Sequence, residues 1–463
     1  MLILINFFII IYLFFISIIM KKILIILIFL LYHINSIDIS ILKGEKLFNN
    51  NTPIVLNIIS NDVKEKNSNV ELICIIDISG SMRGEKIKLV KQSLKILLEM
   101  MSDKDKLGLV LFNQQAYKLL DLTYTNNNNK KNIISLIDSI KVGGGTYILS
   151  GLEMAVDMFK QNKRDEKNFF DKFRISSAMI LLSDGNDNIM THIEIGNGLK
   201  NLTKDMKLFF TLHAFGYGED HDPNIMNTLA NIRDGAFYFV QDYKKVIEYF
   251  VNVLGACMSM ISENAKIIIK SKYDIKKIFG VEDLYNYALK DNKNFETELL
   301  QLIGGKEYTF VLEVEVPDDN LNNNFIEVEF NFDEGGKKNK IINKKFNDMN
   351  EKNIEKAKEE YIRSVTFETL NEAMKLREEQ KGNDAKEKLN DMKKWLNGNY
   401  KGKQNYIGDI EESLKLINDD MLYESKGRAF LLSSINEGQM KRGGSKMSFQ
   451  NTLQKDMISS LNY

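Results

Sequence analysis

The sequence predicts an α/β protein in which a doubly wound parallel sheet is inserted in an antiparallel, β-sandwich-like module and followed by a helical hairpin. Three observations predict it. Between Glu71 and Gln241 short apolar runs alternate with amphipathic helical patterns, the rhythm of parallel βαβ units. Beyond Glu263 the hydrophobic period drops to two, as in antiparallel strands. From Glu351 it returns to the helical period.

Residues 1–36 stand apart as an apolar leader. Met1 to Met20 carries no charge and, at 1.5 Å per residue, is long enough to cross a hydrocarbon core of roughly 30 Å. Lys21 and Lys22 interrupt it, and a second apolar run follows from Ile23 to Tyr32. Read from Met20, MKKILIILIFLLYHINS has a short basic segment, an apolar stretch and a small residue, Ser36, where a signal peptidase would cut. A cleaved signal, an uncleaved membrane anchor and a cytoplasmic chain with a misassigned start all remain open. The first two place the protein in the secreted or membrane-anchored fraction. Asn-x-Ser/Thr triplets at Asn50 and Asn201 are compatible with secretion and glycosylation, although an Asn-rich chain produces them by chance.

The run IVLNIIS, Ile54 to Ser60, reads as a buried strand just after Pro53, within a segment 52–62 that has no place in the α/β region; we expect it to pair with the later antiparallel module. The α/β region is bounded at 70–260. Its strands are ELICIID, KLGLVLF, ISSAMILLS, KLFFTLHAF and AFYFV, and its helices lie at Glu85–Met101, Lys130–Ile140, Ile148–Phe159, from Asp222 and at Tyr243–Met260. Asp222 followed by Pro223 gives an N-cap and a first-turn proline. The antiparallel module at 263–348 holds AKIIIKS, Tyr308–Val316, Phe325–Phe332 and NKIINKKF after a Gly335-Gly336 turn. A helical region at 350–436 carries an apolar stripe through Ile354, Ala357, Tyr361, Val365, Leu370 and Met374, and 437–463 reads as a disordered tail.

Composition excludes several functions. With 463 residues, 44% hydrophobic and 27% charged, the chain has room for about three globular domains. A net charge of -1 supplies no bulk attraction to nucleic acid. Two cysteines and four histidines, at His33, His192, His213 and His221, build neither a disulfide scaffold nor a zinc RING. Cys74 and Cys257 read as buried apolar groups rather than a bridge. Gly216-Tyr217-Gly218 reads as a tight turn rather than a nucleotide loop, and His221, between Asp220 and Asp222, as a solvated loop residue rather than a base or metal ligand.

The strand ELICIID ends in Asp77, followed by Ser79 and Ser81, so a carboxylate and two hydroxyls fall at the carboxyl end of a parallel strand, where α/β sheets bind ligands. Gly143-Gly144-Gly145-Thr146 and Ser183-Asp184-Gly185 bring more oxygen to the same rim. A hard divalent cation takes about six oxygens, several of them water, so few carboxylates with several hydroxyls suit it. The absence of thiol and imidazole from these motifs argues against zinc or copper.

DISGSM, GGGT and LLSDG in this order resemble the metal-ion-dependent adhesion site of a von Willebrand factor type A domain, a Rossmann-like fold. The resemblance implies Mg²⁺ or Mn²⁺ held by Ser79, Ser81 and Thr146 directly or nearly so, with Asp77 and Asp184 acting through water, and an open position for an Asp or Glu carboxylate of a partner protein. The stretches Lys106–Leu122 and His213–Val240 look like the A-domain part of plant wavy-growth ubiquitin ligases and, more distantly, inter-alpha-trypsin inhibitor heavy chains. Lacking a RING, the chain is not expected to act as a ligase. Two binding readings follow: a secreted or membrane-anchored protein that captures an acidic residue of a partner, and an intracellular scaffold or substrate-recruiting subunit. A metal-assisted hydrolase is the third, but Ser79 has neither a nucleophile elbow nor a nearby base in the sequence, so no enzyme activity is expected.

Overall fold

A computed structural model of the chain describes residues 37–63, 65–162, 175–204, 206, 209–218, 222–240, 243–280, 287–321, 323–334, 337–400, 404–440 and 451–461. The leader at 1–36, His221, the Gly335-Gly336 turn and residues 441–450 of the expected tail lie outside these residues.

A six-stranded sheet in the order β5-β4-β3-β6-β7-β8 forms the centre of the α/β region. Its strands are β3 (Asn69–Asp77), β4 (Lys106–Phe112), β5 (Ala116–Tyr124), β6 (Ile175–Ser183), β7 (Phe210–Tyr217) and β8 (Phe237–Val240). Alternation along β3 explains the two helical layers. Val70, Leu72, Cys74 and Ile76 face a core shared with α1 (Glu85–Met100), α2 (Asn127–Ser139) and α6 (Tyr243–Met258). Ile73 and Ile75 face the opposite core, filled by α3 (Ile148–Gln161), α4 (His192–Thr203) and α5 (Pro223–Ile232). Burying each such side chain contributes roughly 1.5–3 kcal/mol, so a one-residue slip that exchanged the faces would be strongly opposed.

The sheet is mixed rather than purely parallel. Its edge strand β5 runs antiparallel to β4. Only Asn113 to Gln115 connect the two, too few residues for the crossover that a parallel pair requires. The other pairings, β3 with β4 and β6, β6 with β7, and β7 with β8, are parallel.

The antiparallel module comprises a four-stranded sheet, β1-β2-β13-β10, and a five-stranded sheet, β11-β12-β9-β14-β15. The strands are β1 (Ile37–Lys43), β2 (Thr52–Ser60), β9 (Met260–Ser271), β10 (Ile275–Ile278), β11 (Tyr287–Lys290), β12 (Asn294–Ile303), β13 (Glu307–Val314), β14 (Ile326–Glu334) and β15 (Lys337–Asn343). The early strand β2 pairs with β13, placing Leu56 opposite Phe310 and Ile54 opposite Leu312, so the α/β region is an insertion into this module. Its entry and exit are tied together. Asn67 donates through its backbone to Met258 O at 2.8 Å and through its side chain to Met260 O at 2.8 Å, and Ser68 Oγ donates to Cys257 O at 2.5 Å. Gln301 and Leu300 of β12 reach the inserted sheet: Gln301 Nε2 donates to Ser177 O at 2.8 Å, and Leu300 N to Asp234 Oδ2 at 2.7 Å.

The C-terminal region holds more than a hairpin: α7 (Glu351–Glu378), α8 (Gly382–Asn399), α9 (Gln404–Asn418) and α10 (Arg428–Met440), with a short helical turn and a π-turn across 420–427. Ala357 and Tyr361 of α7 pack with Leu42, Val55 and Val311 of the four-stranded sheet. The remaining helices share one core with α3, α4 and α5. Two stretches depart from the disordered tail read in the sequence: residues 437–440 complete α10, and residues 452–461 form a helix, α11 (Thr452–Leu461), whose Leu453 and Met457 pack on the core beside α6.

Candidate functional site

The loops at the carboxyl ends of β3 and β6 converge because these strands are parallel neighbours in register, Ile76 beside Leu182, and the loop at 143–146 between α2 and α3 joins them. From β3 the chain moves to β4 on one side, whereas β6 continues to β7 on the other. This divergence opens the crevice where α/β sheets take their ligands.

Asp77 is fully buried, and both of its carboxylate oxygens are engaged by the chain itself. Oδ1 accepts from Ser79 N at 2.8 Å and Oδ2 from Ser183 Oγ at 2.6 Å. Burial pushes its carboxyl up to about 6 in the metal-free chain; the bonds from Ser183 and Ser79 oppose the shift and the charge of Asp184 adds to it. Ser79, also buried, places its hydroxyl 2.9 Å from that of Ser81, which is exposed to the rim.

The glycine loop is clamped to this turn. Gly80 N donates to Gly144 O at 2.9 Å and Gly143 N to Ile78 O at 2.7 Å, while Asn113 Nδ2 donates to Gly143 O at 2.9 Å. Gly144 adopts φ +95, a left-handed conformation that glycine accepts readily. Thr146 follows, buried, and exchanges hydrogen bonds with Asn188, Thr146 N to Oδ1 at 2.7 Å and Asn188 N to Thr146 O at 3.1 Å.

Asp184 is fully buried. Its Oδ2 pairs with Lys86 Nζ at 3.1 Å, whereas its Oδ1 is buried with no hydrogen-bond partner among the described residues. Such an orphaned oxygen calls for a donor or a cation. The surrounding donors suit a hard divalent ion. They are oxygens only, and the 2.9 Å between the Ser79 and Ser81 hydroxyls matches the separation of about 3 Å between adjacent oxygens in an octahedron of about 2.1 Å radius. No group of three or more His, Cys, Asp or Glu side chains among the described residues is arranged to hold a metal, as follows for a centre with two carboxylates whose other donors are hydroxyls.

The structure thus gathers the loops bearing Asp77, Ser79, Ser81, Thr146 and Asp184 at one rim. Sequence reading missed three supports: Lys86 on the first turn of α1, Asn113 after β4, and the Asp187-Asn188 pair. The last lies one residue beyond SDG, after Asn186, and consecutive Asp and Asn side chains are a recognised signal for loops that bond their own backbone. The expected glycosylation positions, Asn50 and Asn201, are both exposed, the first in a bend before β2 and the second in the last turn of α4. Cys74 and Cys257 are free and buried in the same core. Gly218 has φ +89, consistent with the turn read after β7. Among the described residues no helix is long and apolar enough to cross a membrane.

Residues 71–252 match the von Willebrand factor type A domain family, and this part of the chain is such a domain. A von Willebrand factor A domain-containing protein of Dictyostelium discoideum is 25% identical over 270 residues, covering 55% of this chain and 27% of the relative. Inter-alpha-trypsin inhibitor heavy chain H1 of Bos taurus is 28% identical over 178 residues, covering 38% of this chain and 19% of the relative. The chain spans less than half the length of these curated relatives. The solved structure of a von Willebrand factor type A protein from Catenulispora acidiphila superposes with a TM-score of 0.62 at 16% identity, covering 88% of this chain and 97% of that one. The shared fold therefore extends beyond the A domain into the β module and the helices.

Proposed function

We propose that the A-domain rim is a cation-dependent protein-binding site that captures an Asp or Glu side chain of a partner. The observation that carries this reading is Asp184: a fully buried carboxylate with one oxygen paired to Lys86 and the other orphaned, beside the equally buried Asp77. Asp77, Ser79, Ser81, Thr146 and Asp184 are the residues that would hold Mg²⁺ or Mn²⁺. When bound, the ion supplies a Lewis-acidic position for an incoming carboxylate. The chain's own part is positioning. Ser183 and the Ser79 amide fix Asp77, Asn188 fixes Thr146, and the Gly80–Gly144 and Gly143–Ile78 bonds lock the two loops together.

Binding rather than catalysis is favoured because the carboxylate beside Ser79, that of Asp77, is fully buried and already accepts from the Ser79 amide and the Ser183 hydroxyl, which leaves it little capacity to take a proton from a Ser79 nucleophile. The apolar leader favours an encounter outside the cytosol. A mature amino terminus near Ile37 would agree with this; an unprocessed, unanchored chain in the cytosol would speak against it.

The test is calorimetric titration of the full chain with Mn²⁺ and Mg²⁺. Saturable binding is expected, weakened about 10–100-fold or more by Asp77→Ala or Asp184→Ala. Partner capture should be lost in EDTA and restored by the ion. Capture indifferent to EDTA would reject the proposal.

A further inference from the structure

Beside this rim stand two isoleucines, Ile189 and Ile193, each 62% exposed. Single exposed aliphatic residues are ordinary on a protein surface; two within five residues of one another in sequence, on a rigid support at a ligand-binding edge, are not. The support is over-determined. Asp187 accepts the amides of Ile189 and Met190 on Oδ1, each at 2.8 Å, and that of Ile148 on Oδ2 at 2.7 Å. Asn188, the residue before Ile189, is the one that exchanges hydrogen bonds with Thr146. Thr191 and Glu194 form a reciprocal capping box that fixes the first turn of α4, which carries Ile193. Met190, between them in sequence, is partly buried against the core. The backbone is pinned on both sides of Ile189, so the segment that carries this side chain is held in place. A surface held ready in this manner loses little entropy when a ligand covers it.

Resting on the reading of the rim as a cation-dependent acid receptor, we propose that Ile189 and Ile193 form an apolar seat that selects the partner's sequence. The occupant is a protein segment in which the captured Asp or Glu is closely followed or preceded by a bulky aliphatic or aromatic residue. The carboxylate complements the cation-binding rim at Thr146, and the apolar neighbour covers the isoleucines one and five residues beyond Asn188.

The experiment pans a displayed peptide library with one fixed Asp among random residues against the full chain in Mn²⁺, and repeats it with the Ile189→Ser/Ile193→Ser double variant. The native chain should enrich Leu, Ile, Met, Phe or Trp near the Asp by roughly tenfold or more. The double variant should lose that enrichment while keeping native Mn²⁺ affinity and EDTA-sensitive retention of acidic peptides. The seat is rejected if acidic peptides are retained without an apolar preference, if no peptide is retained, or if the preference survives the double substitution. Self-association of the chain that the double variant abolishes would also reject it, by naming a second copy as the occupant. Mn²⁺ titration separates the two ideas: absence of binding to the native chain removes the rim reading as well, whereas normal Mn²⁺ binding without apolar selection removes the seat alone.

Discussion

Asp77 is a carboxylate that the fold buries completely and then supplies with two donors, the Ser79 amide and the Ser183 hydroxyl. Burial dominates and raises its carboxyl to about 6 from its ordinary value of 3.8. Between these pH values the folded metal-free chain binds more protons at this position than the unfolded chain does. Stability contributed by Asp77 therefore falls as pH rises from about 4 to about 6 and levels off above. Thermal melts in EDTA, compared with Asp77→Asn, should show this trend in the native protein only; identical pH profiles would contradict it. Mn²⁺ affinity should move the opposite way, weakening below about pH 6 as the proton competes for the carboxylate. The thiols give a second residue-scale expectation. Burial pushes Cys257 up to about 12 and raises Cys74 further, so neither should react with a thiol reagent in the folded chain, and both should react after denaturation. The motif residues of the site were legible because a DxSxS after an apolar run, a GGGT and an SDG each mark a strand-end loop. Lys86, Asn113 and Asn188 were not, since their roles depend on which loops the fold brings together.

At the scale of elements, strands buried on both faces were read directly from continuous apolar runs, and Lys106–Phe112 and Ile175–Ser183 have the same bounds in sequence and structure. Helix α4 was missed because HIEIGNGLKNLT carries two glycines and little helical propensity. Packing explains it: a Cβ at Gly196 would lie 3.0 Å from Thr228 Cγ2, and one at Gly198 2.7 Å from Leu149 Cδ1, so the glycines allow close approach to α5 and α3. The Thr191-x-x-Glu194 box was the available signal. The run Asn126 to Asn129 starts α2, with the Asn126 side chain accepting from Asn129 N. Glycines also supply a prediction. A Cβ on Gly235, before β8, would fall 1.7 Å from the backbone oxygen of Leu212, so Gly235→Ala should destabilise by at least about 3 kcal/mol. Gly398, in α8 with nothing within 4 Å, should instead gain roughly 0.5–1 kcal/mol as alanine. Urea midpoints of the two variants would check the contrast; similar midpoints would refute it.

At the scale of the whole molecule, the A domain is held between its parent β module and the C-terminal helices. The segment that opens helix α11 bridges the A domain and the β module. Asn451 Nδ2 donates to Gly304 O at 2.9 Å, Gln454 Nε2 to Asn252 O at 2.7 Å, and Thr452 bonds Asp62, so the end of the chain joins α6 to the β module. Deleting residues 451–461 should lower stability by roughly 1–3 kcal/mol, from two partly buried apolar side chains and the lost hydrogen bonds. An unchanged denaturation midpoint would show that this contact contributes nothing. The sequence alone determined the α/β insertion, the switch to antiparallel strands and the oxygen-rich motifs, because hydrophobic period and strand-end chemistry are local properties. Only the tertiary structure decided the antiparallel edge strand, the docking of α11, the orphaned oxygen of Asp184 and the exposed isoleucines beside the rim. Each of these depends on which distant segments share a surface, and a linear pattern does not carry that information.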